Sequence, residues 1–379
     1  MNFAFSEEQE ALRKSARDFL EKECPRKLVR LMEEDDRGYS VELWRRMAEW
    51  GFMGIAVPQR YGGTGHSFLD LTVLMEEVGR ALVPGPLLST VLSAFFILAA
   101  GNEKQKRELL PRLAKGELIV ALAFNEPEWY FDPRRIRVEA KANSHGYIIN
   151  GTKLFIADAH VAHLLICLAR TAVRVTEDKG TTLFLLDSSS SGISLTLLDT
   201  TASDKQFEVK LDNVEVVRNS ILGGAGKGWQ YVNSILKQAA LCKCAEMLGA
   251  AQFILEMTVS YAKQRIAFGH PIGSFQAVQH HCANMATDVD NCRLIIYEAA
   301  WKLSEGMPCS GEVAMAKAFV SEAYKRVVTL AHQVHGGLGF AKEYDLQLYF
   351  RRAKAAELAF GDARFHRQTV VHELGLQAL

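Results

Sequence analysis

Leu12, Ala16, Phe19 and Leu20 recur at the three- and four-residue spacing of a helix with one buried face. Leu43, Met47 and the apolar residues near Phe52 repeat the pattern. Ser6-Glu-Glu-Gln9 has the form of a capping box and predicts where the first helix begins. Pro58-Gln-Arg-Tyr61-Gly62-Gly63-Thr-Gly65 is a turn cluster. Leu71 to Leu82 is helical and is stopped by Pro84 and Pro86; a further helix runs through Ala99 and ends at Gly101-Asn102. Residues 1–117 are therefore expected to form an N-terminal helical domain.

From residue 118 the apolar segments become short and extended. Ile119–Phe124, Ile136–Ala140, Tyr147–Ile149, Leu164–Ala169, Thr182–Leu186, Ile193–Leu198 and Phe207–Val217 are candidate strands. Asn143-Ser-His-Gly146 and Asn150-Gly151 are turn signals between them. Residues 118–223 are expected to form a middle β domain. Gly223-Gly224-Ala-Gly226-Lys-Gly228 then marks a boundary. It lacks the Gly-Lys-Ser/Thr of a phosphate loop, so a flexible linker is the preferred reading. Residues 224–379 return to long helical stretches, 229–264, 275–304, 311–334 and 342–360, with only turn-length breaks. That spacing predicts a C-terminal four-helix bundle.

Lys+Arg and Asp+Glu are both 44, so the balanced charge gives no electrostatic case for nucleic acid as a partner. No apolar run reaches the ~20 residues needed to span a bilayer. The opening residues lack the basic and apolar blocks of a signal peptide. The seven cysteines contain no Cys-x-x-Cys pair and suggest free thiols in a reducing cytoplasm. Cys242 and Cys244 point to different helix faces, so no metal pair is expected there.

Candidate chemistry concentrates near the C-terminus. Tyr261-Ala-Lys-Gln-Arg265-Ile-Ala-Phe268-Gly-His-Pro271-Ile-Gly-Ser-Phe275-Gln276 is followed by Gln333-Val-His-Gly336-Gly337 and then by Ala359-Phe360-Gly361-Asp362. A guanidinium such as that of Arg265 suits a diphosphate, and Phe268 can pack on an aromatic ring. Gln276 and Gln333 offer amide donors and acceptors. Gly336-Gly337 lets backbone N–H groups approach a phosphate or ring. Taken singly these residues also fit a surface ion pair, a core aromatic and a helix C-cap.

Together and in order, over nearly the whole chain, these motifs resemble the acyl-CoA dehydrogenase family. The first matches that family's Arg-x-x-Phe-Gly-x-Pro-Ile-x-x-Phe-Gln. Asn125-Glu126-Pro127 resembles its Thr-Glu-Pro loop, and Phe155-Ile156-Ala157 stands where it has an aromatic, isoleucine, then threonine or serine. The resemblance implies a mainly α fold with a β insert: an N-terminal helical domain, a middle β-barrel domain and a C-terminal four-helix bundle. It implies FAD, either bound by this chain or shared with or held by a partner chain, an acyl-CoA substrate and an electron-transfer flavoprotein as electron acceptor. It also implies a dimer or tetramer, of identical chains or with a homologous subunit. Arg265, Phe268, Gln276, Gln333, Gly336 and Gly337 would reach the FAD of a neighbouring subunit; Asn125, Phe155 and Ala157 would face this chain's own flavin.

Four departures stand out. Phe360 occupies the position of the family's catalytic glutamate, and a benzyl group cannot take a proton. Ala157 replaces a hydroxyl. Trp129-Tyr130-Phe131-Asp132 replaces a small, serine-bearing loop, and Asp362 replaces threonine. The family's second base position falls on Ala239, beside Ala240. Glu357 and Asp362 are the nearest possible substitutes; Glu246, His332 and His335 are expected to be structural. Three readings follow: a base-deficient subunit of a heteromeric acyl-CoA dehydrogenase; a self-sufficient dehydrogenase with a displaced base such as Glu357; or another flavin reaction on the same fold. A binding or scaffold protein without flavin is the alternative from a different class.

Overall fold

A computed structural model of the chain describes residues 5–128, 130–172, 174–176 and 179–376, so Trp129 lies outside the described residues. Its element order is helices, β-sheet, helices, as the sequence pattern requires. By packing, the chain divides into two compact units.

One unit comprises Met1–Val29, Ser67–Val83 and Ala239–Leu379. It contains α1 (Glu7–Glu23), α4 (Phe68–Ala81), most of α7 (Gly228–Gln264), α8 (Gln276–Ser304), α9 (Ser310–His335), α10 (Leu346–Leu358) and α11 (Ala363–Glu373). The Ser6–Gln9 capping box forms at the head of α1. α4 is buried on nearly every side. A Cβ on its Gly79 would lie 1.9 Å from the Glu246 carbonyl oxygen, and one on Gly249 would lie 1.7 Å from that of Glu76. The two helices therefore cross backbone to backbone, an approach only glycine permits. The buried acids of α4 are paired: Glu77 with Arg17 at 2.7 and 2.9 Å, and Glu76 with Arg293 at 2.5 Å and Tyr297 at 2.7 Å.

The other unit comprises Arg30–His66 and Pro84–Gln238. It holds α3 (Val41–Glu49), α5 (Leu87–Ala100) and α6 (Glu103–Ala114), and α2 (Arg26–Glu34) straddles the division. Its sheet is built from β1 (Val120–Ala123), β2 (Glu139–Ala142), β3 (Gly146–Ala157), β4 (Leu164–Arg170), β5 (Thr181–Asp187), β6 (Ile193–Leu198), β7 (Gln206–Val217) and β8 (Ile221–Leu222). The order is β6-β7-β3-β2-β4-β5-β8, with β1 added parallel to β4. The hydrogen-bonded path among the described residues is an open sheet, so the middle domain is better described as a sheet than as a closed barrel. Phe96, Ile97, Leu110 and Leu113 of α5 and α6 join Val120, Ile166, Leu168 and Leu183 of the sheet in its core.

The structure departs from the sequence reading at three further places. Asn150-Gly151 is not a turn: β3 runs through it with a register shift between Ile149 and Gly151. Gly151 is needed because a Cβ there would lie 2.8 Å from Val138 Cγ2. The glycine-rich 223–228 segment is not loose, since the Gly226 and Trp229 amides donate to Thr182 Oγ1 (2.8 Å) and Thr181 Oγ1 (3.0 Å) of β5. The 342–360 stretch begins as a helix only at Leu346, and beyond its end the turn at Ala359–Gly361 leads into a further helix that the sequence reading did not place, α11.

Candidate functional site

The Arg265–Gln276 motif folds as a hairpin, β9 (Ile266–Ala267) and β10 (His270–Pro271), leading through a short turn into α8. Phe268 and Gly269 form its two-residue tip with φ of 52° and 83°, as a type I′ turn demands. The tip aims outward: Phe268 is 92% exposed and touches Phe275 edge-on at 6.2 Å. Arg265 and Gln276 are exposed. The Arg265 guanidinium makes no hydrogen bond or ion pair with the described residues, so its charge remains available to an external anion.

Gln333, Gly336 and Gly337 mark the end of α9, all exposed. Gly336 has φ +61°, which favours glycine, but a Cβ on Gly337 would meet nothing within 4 Å and its φ is ordinary. Nothing in this chain's own packing therefore requires glycine at 337; the bare backbone leaves room for something from outside. His332 and His335 are buried, and each bonds through Nδ1 to a carbonyl of its own helix at 2.8 Å. Burial lowers the His335 pKa, keeping it neutral.

Phe360 lies in the turn between α10 and α11 at φ +57°, with Gly361 next at +97°. The carboxylates nearby in sequence are engaged. Glu357 pairs with Lys354 at 2.9 Å, and Asp362 caps α11 by accepting the Phe365 amide at 2.8 Å. Glu246 pairs with Lys243 on α7, and Ala239 and Ala240 are buried and inert.

The remaining residues belong to the β-sheet unit. Asn125 and Ala157 are half-buried; Phe155 is exposed at φ +54°, thrown outward where the β3–β7 register shifts between Lys153 and Ile156. A clasp not anticipated from sequence ties the two segments together. Glu126 and Lys153 form an ion pair of 2.6 Å with 1% and 0% side-chain exposure. Glu126 also accepts the amides of Arg137 (2.6 Å) and Val138 (3.3 Å). Lys153 donates to the carbonyls of Leu168 (2.6 Å) and Phe124 (3.3 Å), and the Leu154 amide bonds the Asn125 carbonyl (2.9 Å). The bulky loop between is built in: Phe131 packs on the unit's core, Asp132 is bound by Arg134, and exposed Tyr130 lies beneath Arg135 at 5.4 Å. Their sequence surroundings, Asn125-Glu126-Pro127-Glu128 and Asn150-Gly151-Thr152-Lys153, carry no signal that the two would meet.

Backbone strain marks the same places. Of nine non-glycine residues with positive φ among those described, five are Tyr130, Phe131, Phe155, Phe268 and Phe360. Bulky side chains in this conformation are uncommon, and such outliers cluster where function constrains the backbone.

Comparison with known proteins agrees across the chain. Family models described as acyl-CoA dehydrogenase N-terminal, middle and C-terminal domains match residues 6–117, 121–214 and 226–375. A 3-(aryl)acrylate reductase of Clostridium sporogenes is 33% identical, covering 98% of this chain and 99% of that one. The structure of the FAD complex of PigA superposes with a TM-score of 0.94 at 25% identity, over 100% of both chains. The ChsE4-ChsE5 complex of Mycobacterium tuberculosis gives a TM-score of 0.90 at 27% identity, over 100% of both chains.

Proposed function

The chain belongs to the acyl-CoA dehydrogenase family, and from that premise we propose that it is the base-deficient subunit of a heteromeric acyl-CoA dehydrogenase. The observation that carries this reading is the turn at Phe360. Its side chain has no proton acceptor, and the carboxylates of Glu357, Asp362 and Glu246 are each committed to another partner. Removing the α-proton of a thioester needs a free, positioned base, a contribution of roughly 10²–10⁴ in rate.

The donating face fits FAD. Arg265 would pair with the diphosphate of a partner-held FAD, Phe268 would pack on its adenine, and Gln276 and Gln333 would supply amide contacts. The open backbone at Gly336-Gly337 would admit the cofactor, as the empty space around Gly337 supports. Bound FAD supplies the acceptor for the hydride leaving the β-carbon of the thioester. This chain's own flavin side, formed by Asn125, Phe155 and Ala157, is proposed to hold FAD weakly: Ala157 has no hydroxyl, and Phe131 takes the place of a serine. The homologous partner would bring the glutamate and an intact flavin loop, and an electron-transfer flavoprotein would take the electrons. The ChsE4-ChsE5 structure supports the pairing of two different chains on this fold. We further propose the division 1–117, 118–223 and 224–379 as the functional segments.

The test is spectroscopic. Expressed alone, the chain is expected to carry far less than one FAD. Co-expressed with a homologous subunit, it is expected to give one FAD per pair and to bleach with acyl-CoA. A homo-oligomer fully loaded with FAD that bleaches unaided would overturn the reading, and loss of that bleaching in Glu357→Gln would then identify a displaced base.

A further inference from the structure

The turn that carries Phe360 is held by side chains to which the proposed function gives no part. Lys317 lies on α9 with its side chain wholly buried. Its Nζ donates to the carbonyls of Glu357 (3.0 Å), Gly361 (3.0 Å) and Ala356 (3.2 Å), and to Ser321 Oγ one turn along (3.0 Å). His366, buried on α11, donates from Nε2 to the carbonyl of Phe360 at 2.9 Å. Two of these carbonyls close the last turn of α10, where a helix has no donors of its own. The other two belong to the turn itself. Gly361 completes the device: a Cβ there would lie 2.5 Å from Phe365 Cδ1 and 2.8 Å from His366 Nε2.

Every one of these bonds to the turn goes to backbone. A backbone held in this way does not depend on which side chain position 360 carries. We propose that Lys317 and His366 are positioning residues that hold position 360 in its left-handed conformation, making the 359–361 turn a preformed frame for whatever side chain occupies it. The proposal rests on the reading of position 360 as the substrate-facing position.

The chemistry of Lys317 supports it. The titratable groups facing it are Cys244 and Lys243 from α7, Glu357 from α10, and Asp362 and His366 at the head of α11. Glu357 and Asp362 act on the ammonium through space but neither carboxylate bonds it, so its direct partners are carbonyls and the Ser321 hydroxyl, and burial outweighs the two acids and lowers its pKa to about 8. A methionine would fill the same space without burying a charge. What the lysine adds is donors at three carbonyls. Burial likewise pushes His366 down to about 4, leaving it neutral with a proton for the Phe360 carbonyl.

The test is amide hydrogen exchange by mass spectrometry on the full chain at pH 7, comparing wild type with Lys317→Met and His366→Leu. Peptides covering 356–366 are expected to exchange at least about tenfold faster in either variant, while α8 peptides stay within about twofold. Unchanged exchange at 356–366, or equal acceleration in α8 and α9, would overturn the proposal. If one variant fails to fold, the other carries the same readout. Phe360→Glu is expected to leave exchange at 356–366 within about twofold of wild type, because every bond that holds the turn goes to backbone, and tenfold acceleration there would also overturn the proposal. The exchange comparison needs neither FAD nor partner, so it decides the frame whether or not the subunit reading holds.

Discussion

Lys153→Met tests whether the clasp in the sheet unit is as costly to open as its burial implies. The substitution keeps the length of the side chain and removes its charge, leaving the Glu126 carboxylate, 1% exposed, without its cation. Breaking one partner of a buried pair costs about 3–5 kcal/mol. Glu126 retains the Arg137 and Val138 amides, which favours the lower end. The Leu168 carbonyl, bonded at 2.6 Å in the wild type, also loses its cationic donor, adding about 1–3 kcal/mol. A loss of about 4–6 kcal/mol corresponds to a fall of roughly 8–24 °C in the melting temperature of a unit this size. Trp44 and Trp229 are both buried in this unit and report its melting by fluorescence. The control is Lys153→Met with Glu126→Leu, which removes the stranded charge and is expected to recover about half the loss, because the 137 and 138 amides remain unpaired. A single variant melting within 2 °C of wild type would refute the reasoning. So would a double variant less stable than the single one.

Gly337→Ala is expected to change stability by less than about 0.5 kcal/mol, since its Cβ meets nothing, yet to lower FAD content in the assembled pair; calorimetry and flavin absorbance check the two halves. Gly249→Ala is expected to destabilise the helical unit by several kcal/mol, because its Cβ would meet the Glu76 carbonyl oxygen at 1.7 Å; urea denaturation measures it. Arg265→Ala is expected to leave folding intact, to weaken FAD retention in the pair at low ionic strength and to lower its salt sensitivity, read by ultrafiltration at increasing ionic strength. Lys317 releases its proton near pH 8 in the folded chain but near 10.5 when unfolded, so its contribution to stability rises with pH between those values, by up to about 3 kcal/mol. Lys317→Met removes that rise, and denaturation midpoints from pH 7 to 10.5 in both proteins show whether it does.

Much of the fold was legible because periodicity is local. Ser6 and Gln9 cap α1 as their spacing requires, and the 3.6-residue pattern located α7, α8 and α9 within a residue or two. Errors came where a local signal competed with a distant neighbour. Asn150-Gly151 carries a turn signature, but pairing with both β2 and β7 holds the segment in a strand, and Gly151 makes room for Val138. The end of the 342–360 stretch matches that of α10 within two residues, but α11 was missed; what separates the two helices is the left-handed pair Phe360-Gly361 with the lysine beneath it.

The sequence by itself determined the family, the order of helices and sheet, and the absence of a carboxylate at position 360, since residue identity and short-range spacing need no coordinates. A carboxylate is available for chemistry only if nothing nearby has already claimed it. Lys243, Lys354 and the Phe365 amide lie three residues from Glu246, Glu357 and Asp362, so local spacing already offers those pairs. Lys153 is 27 residues from Glu126, and only the tertiary structure joins and buries that pair, because its energy comes from a burial that no local spacing sets.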